Sequence, residues 1–177
     1  MENNNDLTRR RSPPETFEFL EMTMKKLPVL LAALYLCGCE VHVHDDTDVE
    51  YLQAPGTEDM NLPFSSAVRV GDLLFLSGSI GIVPGTRDLA EGGIQGETRQ
   101  TMENIKRTLE TFGSSMDNVV KCTVFLADMS EWGAMNEVYR TYFDNPPARS
   151  ALGASGLALN SRVEIECIAV LEDSDED

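Results

Sequence analysis

Residues 59–171 predict an α+β domain of order ββαβαββ, a mixed sheet with two helices on one face. Three observations carry the prediction. Two segments place apolar residues at helical spacing, so each helix has one apolar stripe to bury. The remaining apolar runs are of strand length and bounded by Gly, Pro, Asp or Asn. Helices with single stripes pack together on one side of a sheet. At 177 residues and 42% hydrophobic, the chain can fill one ordinary core but not two.

The elements follow in order. Val68 to Ser77 runs apolar through Val70, Leu73, Leu74, Phe75 and Leu76 around Gly71-Asp72, the pattern of a tight hairpin. Residues 94–112 put Ile94, Thr98, Met102, Ile105, Leu109 and Phe112 on one helical stripe, closed by Gly113. Residues 119–126 read as a strand with Val120, Cys122, Val124 and Leu126 on one face. A second helix over 130–143 carries Trp132, Met135, Tyr139 and Tyr142 on a stripe, and Pro146-Pro147 bars its continuation. Strands near 149–153 and 162–171 complete the order.

Charge narrows the partners. The formal charge is −16, from 14 basic and 30 acidic residues. Nucleic acid is excluded as an expected partner, because phosphate neutralisation needs Lys/Arg patches. Residues 172–177, Glu-Asp-Ser-Asp-Glu-Asp, read as a solvated acidic tail.

The N-terminal part reads as an address. Lys25-Lys26 precede an apolar run from Leu27 to Leu36, then Cys37-Gly38-Cys39. That is the layout of a secretory signal peptide, and the run falls short of the roughly 20 apolar residues of a permanent span. Leu36-Cys37-Gly38-Cys39 resembles a bacterial lipobox, which makes Cys39 the expected lipidation site and the bacterial cell envelope, facing periplasm or exterior, the expected location. On this reading residues 1–23 are an over-long extension, 24–38 the lipoprotein signal and 39–58 a flexible tether, with the membrane engaged through the lipid alone. His42, His44, Asp45 and Asp46 are metal-capable but nearly contiguous, so a solvated linker is expected there and no metal site. Cys122 and Cys167 stand in apolar strands. An oxidising envelope would permit one disulfide between them, although buried free thiols are the commoner arrangement.

The chemistry concentrates near the C-terminus. Pro147-Ala148-Arg149-Ser150 places a guanidinium at a proline-braced strand start, able to grip a carboxylate through two parallel hydrogen bonds. Val163-Glu164-Ile165-Glu166-Cys167-Ile168-Ala169-Val170 puts Glu164 and Glu166 on one face of a strand, where either could manage the proton of a water. Alternation does not choose between them. An anion fork facing a water-activating base suits hydrolysis of a small carboxylate-bearing molecule.

These two blocks, with Ser66-Ala67-Val68-Arg69-Val70-Gly71-Asp72-Leu73-Leu74-Phe75-Leu76-Ser77-Gly78 and Met135-Asn136-Glu137-Val138-Tyr139, resemble the RidA (YjgF) family of enamine/imine deaminases over roughly residues 50–172. The resemblance implies a chorismate-mutase-like fold and a homotrimer with sites in clefts between subunits. It further implies hydrolysis of a 2-imino or 2-enamino acid to the 2-oxo acid and ammonia, without cofactor or metal. It assigns Arg149 to the substrate carboxylate, Glu164 to the water, and the backbone amide of Ala151 to the carboxylate as a second donor. Ser77, Gly78 and Asn136 become pocket-lining residues. Three departures bear on the pocket: Phe64 stands where members often carry tyrosine, Ala151 where cysteine is frequent, and Ser79 where glutamine is usual. A non-catalytic module binding small carboxylates in the same arginine cleft is the alternative, and Glu164 discriminates between the two.

Overall fold

The computed structural model describes residues 48–57 and 61–172. Cys39, the apolar run before it, the His/Asp cluster and residues 173–177 lie outside the described residues. The elements are β1 (Val49–Leu52), β2 (Ala67–Val70), β3 (Leu73–Leu76), β4 (Ser79–Ile80), α1 (Gly93–Thr111), β5 (Val119–Leu126), α2 (Trp132–Tyr139), β6 (Ala148–Gly153) and β7 (Val163–Val170). The sheet runs β1-β2-β3-β7-β5-β6, with β4 also pairing β7. It is mixed as expected: β5 and β6 are parallel, and the other pairs antiparallel.

Local chemistry sets these boundaries. Val70 and Leu73 are register partners, so Gly71-Asp72 alone close the hairpin, and Gly71 takes φ 57, where a Cβ would be strained. Helix α1 buries Ile94, Thr98, Met102, Ile105 and Leu109, the stripe its spacing predicts. The hydroxyls of Thr98 and Thr101 would be unpaired in that interior, and each donates to the carbonyl four residues back, at 2.6 and 2.8 Å. Gly113, at φ 80, ends the helix.

One core lies between the helices and one face of the sheet. Leu74 and Leu76 of β3, Cys122, Val124 and Leu126 of β5, and Val163, Ile165, Cys167 and Ala169 of β7 join the α1 stripe and Met135 and Tyr139 of α2. Leu74, Met102 and Ile165 are fully buried, each contributing roughly 1.5–3 kcal/mol through apolar area removed from water. A buried carboxylate fixes the start of β7. Glu97 Oε2 accepts the backbone N–H of Arg162 at 2.8 Å, and the Arg162 side chain donates through Nη1 to Glu131 at 2.6 Å.

Three expectations are corrected and one open alternative is resolved. Residues 49–52, assigned to a flexible tether, form β1, because their backbone groups pair with β2 from Val49↔Val70 to Leu52↔Ala67. Val120 does not share the core face of β5: the β5–β7 register shifts between Val119 and Lys121, so Val119 is buried while Val120 is 45% exposed. The helix expected over 130–143 is α-helical only over Trp132–Tyr139, with 3₁₀ turns at Met129–Glu131 and Arg140–Tyr142, and Trp132 points outward. Of the two arrangements open to Cys122 and Cys167, the structure holds the disulfide. They are register partners on adjacent antiparallel strands and both face the core, so their sulfurs meet. Among the described residues, no helix is long and apolar enough to cross a membrane.

Candidate functional site

The predicted site residues fall into two clefts rather than one. The first, of about 540 Å³, is lined by Trp132, Asn136, Tyr139, Phe143, Pro147 and Arg149, among others. Arg149 enters it from β6 and is oriented on two sides. Its Nη1 donates to Asn136 Oδ1 at 2.6 Å, a charge-assisted bond that fixes the fork. Its guanidinium also lies over the ring of Tyr139, 4.7 Å from the centroid, with Trp132 at 6.0 Å. Tyr139 is 4% exposed and its hydroxyl has no hydrogen-bond partner. Burial pushes that phenol up to about 12, against the opposing pull of Arg149, so it stays protonated at physiological pH. The outcome is a guanidinium held from behind and beneath, with its remaining N–H groups available to a planar anion.

The second cleft, of about 470 Å³, gathers Glu164 with Phe64, Ser77, Gly78, Ser79, Ile80 and others. Gly78 brings its bare Cα against the Glu164 side chain, and a Cβ there would overlap carboxylate Oε1. A side chain at 78 would therefore push the Glu164 carboxylate aside, through close approach rather than backbone angle. Ser77 Oγ donates to the Ser65 carbonyl at 2.7 Å, tying the segment that presents Phe64 to the strand end. The other candidate glutamate, Glu166, lies two residues along the strand, in a smaller recess with Lys121 and Thr123.

Register shows why the clefts are separate. Arg149 pairs with Cys122, and Cys122 with Cys167, so Arg149 shares the helix-covered face of the sheet. Glu164 pairs with Phe125, on the opposite face. Within one copy the arginine and the glutamate point to opposite sides of the sheet. Ala151 is half-buried on β6 beside Val124 and lines neither cleft.

Sequence reasoning identified Arg149, Asn136, Ser77, Gly78, Phe64 and Glu164 as cleft residues but missed several partners. Tyr139 belongs to the core as its stripe predicts, and its ring also faces the guanidinium, as does that of the exposed Trp132; their seven-residue spacing is the signal of an aromatic bed for a cation. Asn104 was unremarked. Its amide donates to the Ile80 and Ile82 carbonyls at 3.1 and 2.9 Å, bracing one wall of the Glu164 cleft, and among the polar neighbours Gln100, Thr101 and Thr108 it carries no signal in the sequence.

Known proteins share this architecture. A RutC family protein of Pyrococcus horikoshii is 45% identical over 111 residues, covering 62% of this chain and 88% of that protein. A 2-iminobutanoate/2-iminopropanoate deaminase of Mus musculus is 44% identical over 109 residues, covering 61% and 81%. Among solved structures, RidA from the Antarctic bacterium Psychrobacter sp. superposes with a TM-score of 0.60 at 34% identity, covering 72% of this chain and 99% of that one. The family model described as Endoribonuclease L-PSP matches residues 55–171, which contain both clefts, and the chain accordingly belongs to that family, the RidA/YjgF proteins.

Proposed function

We propose that this protein hydrolyses 2-imino and 2-enamino acids to 2-oxo acids and ammonia, at sites formed where the Arg149 cleft of one copy meets the Glu164 cleft of the next. The carrying observation is the division of labour across the sheet, since a carboxylate clamp and a water-handling base stand on opposite faces. Arg149, pre-oriented by Asn136, takes the substrate carboxylate. Glu164 accepts a proton from water as its oxygen bonds to the C=N carbon, and the nitrogen gains a proton. Collapse of the carbinolamine breaks the C–N bond, releasing ammonia and leaving the C=O. An enamine enters by first taking a proton on carbon. Every step balances with water alone. The deaminase name of the mouse relative supports the same chemistry.

The assembly proposed is the homotrimer that the resemblance implies. Leu73, Phe75, Leu152 and Val170 leave apolar area open on the face that carries Glu164, at 37 to 44% exposure. Contact between unlike surfaces generates a ring where its rotation closes, as a three-fold does. An RNA substrate is disfavoured by the charge of −16. Envelope anchoring through Cys39 is part of the proposal. It draws support from the sequence around Lys25 to Cys39 and from the disulfide, a bond that persists in oxidising compartments.

The test is imine loss timed by semicarbazide trapping of 2-iminobutyrate generated in situ. The purified chain is expected to accelerate it, and Glu164→Ala to lower kcat by at least about 100-fold. An inert wild-type chain would sink the proposal. A second reading, a non-catalytic binder of small carboxylates, is favoured by Phe64, which offers no hydroxyl at the Glu164 cleft; it predicts that Glu164→Ala leaves carboxylate affinity unchanged. Gly78→Ala provides a finer probe. The overlap it creates is with a flexible side-chain end, so stability should change by about 1 kcal/mol or less. Displacing the carboxylate by about 1 Å should nonetheless lower kcat on the order of 100-fold. A melt and a kcat measurement on the same preparation check both halves.

A further inference from the structure

Among the described residues, Glu97 on α1 is the one charged side chain buried in the interior, at 6% exposure. A buried carboxylate gives up much of its solvation, and an apolar residue of similar volume commonly serves a fold as well or better. What the carboxylate secures here is a fixed point in the backbone. Its Oε2 accepts the Arg162 N–H at 2.8 Å, and its Oε1 lies 3.8 Å from Arg162 Nε. The Arg162 carbonyl accepts from the Ala127 N–H at 3.0 Å, so the chain is held on both sides two residues before Glu164. The same turn of α1 meets a second wall of the Glu164 cleft. Gly81 stands between Ile80 and Ile82, which line that cleft, and a Cβ on it would lie 2.8 Å from the Glu97 carbonyl oxygen. The rim on a third side, Ala158 and Leu159, leads into Arg162 through Asn160 and Ser161. Leu159 and Asn160 take φ 55 and 58, conformations that persist where the surroundings impose them.

From this convergence we infer that Glu97 is a positioning residue for the hydrolysis. It lines neither cleft, and it acts by fixing where β7 presents the Glu164 carboxylate to water. The inference rests on the deaminase reading and adds to it a residue that touches no substrate. Without the Glu97 oxygen the Arg162 N–H loses its buried partner, and the start of β7 is free to shift against the Ile80 and Ile82 wall. A displacement of about 1 Å in a group that handles the reacting water is enough to cost on the order of 100-fold in rate. The Arg149 clamp is built from Asn136 and Tyr139 and does not depend on this bond. Loss of Glu97 is therefore a loss in the chemical step and not in carboxylate binding.

Substitutions in the full chain decide it. Glu97→Met keeps an unbranched side chain and removes both oxygens, whereas Glu97→Gln returns one oxygen to the Arg162 N–H. With 2-iminobutyrate, well below the melting temperature, Glu97→Met is expected to lower kcat by about 10-fold to 100-fold while KM moves by less than about twofold. Calorimetric affinity for pyruvate, measured on the same preparations, should hold as KM does. Glu97→Gln should recover most of the lost kcat. Glu97→Asp draws the carboxylate back by one methylene and should lose kcat in the same way, which keeps the test open if the methionine variant does not fold. Wild-type kcat in the folded methionine or aspartate variant overturns the inference and leaves the deaminase reading standing. So does a loss that glutamine does not recover, or one in which kcat and pyruvate affinity fall together, the mark of a general loosening. An inert wild-type chain overturns the deaminase reading, and the inference with it.

Discussion

Arg149→Ala and Glu164→Ala chains, each inactive alone, are expected to recover about a quarter of wild-type activity when assembled together from an equal mixture. The figure follows from the sheet. Arg149 shares a face with Cys122 and Cys167, and Glu164 the opposite face with Phe125, so no single copy can bring the two groups onto one substrate. A site shared between neighbours needs the arginine from one and the glutamate from the other. In a random ring, one of the four neighbour combinations has both intact, and this holds whatever the number of copies. The variants must be mixed before assembly, by co-expression or joint refolding. Neither substitution threatens the core: Arg149 is half-buried at a cleft and Glu164 half-buried beside Gly78. Mixed assemblies of normal size without activity would show that the site is not shared, and the proposed division of labour would fall.

How much of this was legible beforehand depends on the range of the interaction. Helix α1 was readable because its stripe is a local pattern of period 3.6 and Gly113 a local stop. The hairpin at Gly71-Asp72 was readable for the same reason. Strand β1 was not, since Val49–Leu52 is exposed along most of its length and exists through backbone pairing to β2, which leaves no apolar alternation to detect. The bulge beside Val120 depends on the register against β7, a long-range fact. At the site, residue identities were legible but not their division between faces. Period-two alternation orients Glu164 within its own strand, whereas relating it to Arg149 requires knowing that β5 lies between β6 and β7. The stripe of α2 correctly places Tyr139 in the core but not Trp132 at the cleft, because helical spacing does not say whether an aromatic ring meets a leucine or a guanidinium.

Replacing both core cysteines, Cys122→Ala with Cys167→Ala, is expected to lower the melting temperature by roughly 15 °C. The bridge joins residues separated by 45 in sequence, and constraining a loop of that length in the unfolded chain is worth about 4 kcal/mol on the chain-entropy account. Alanine at both positions avoids burying new hydroxyls among Val124, Ile165 and Ala169. Cys122 and Cys167 are 0% and 2% exposed, so reductant should leave the folded protein unchanged and act as the chain opens. Wild-type protein melted in the presence of a phosphine reductant should therefore approach the double variant, while a melt without reductant stays high. Alkylation mapped to Cys122 and Cys167 themselves after denaturation without reductant would mean that the bond does not form. The fold should survive the substitution, because β5 and β7 remain joined by their ladder from Val119↔Ala169 to Leu126↔Val163. Activity at 25 °C is expected to persist for the same reason: Arg149 is oriented by Asn136 and Tyr139, Glu164 by its strand and Gly78, and neither arrangement runs through sulfur. The disulfide thus acts on how long the domain keeps its two clefts under stress rather than on their geometry.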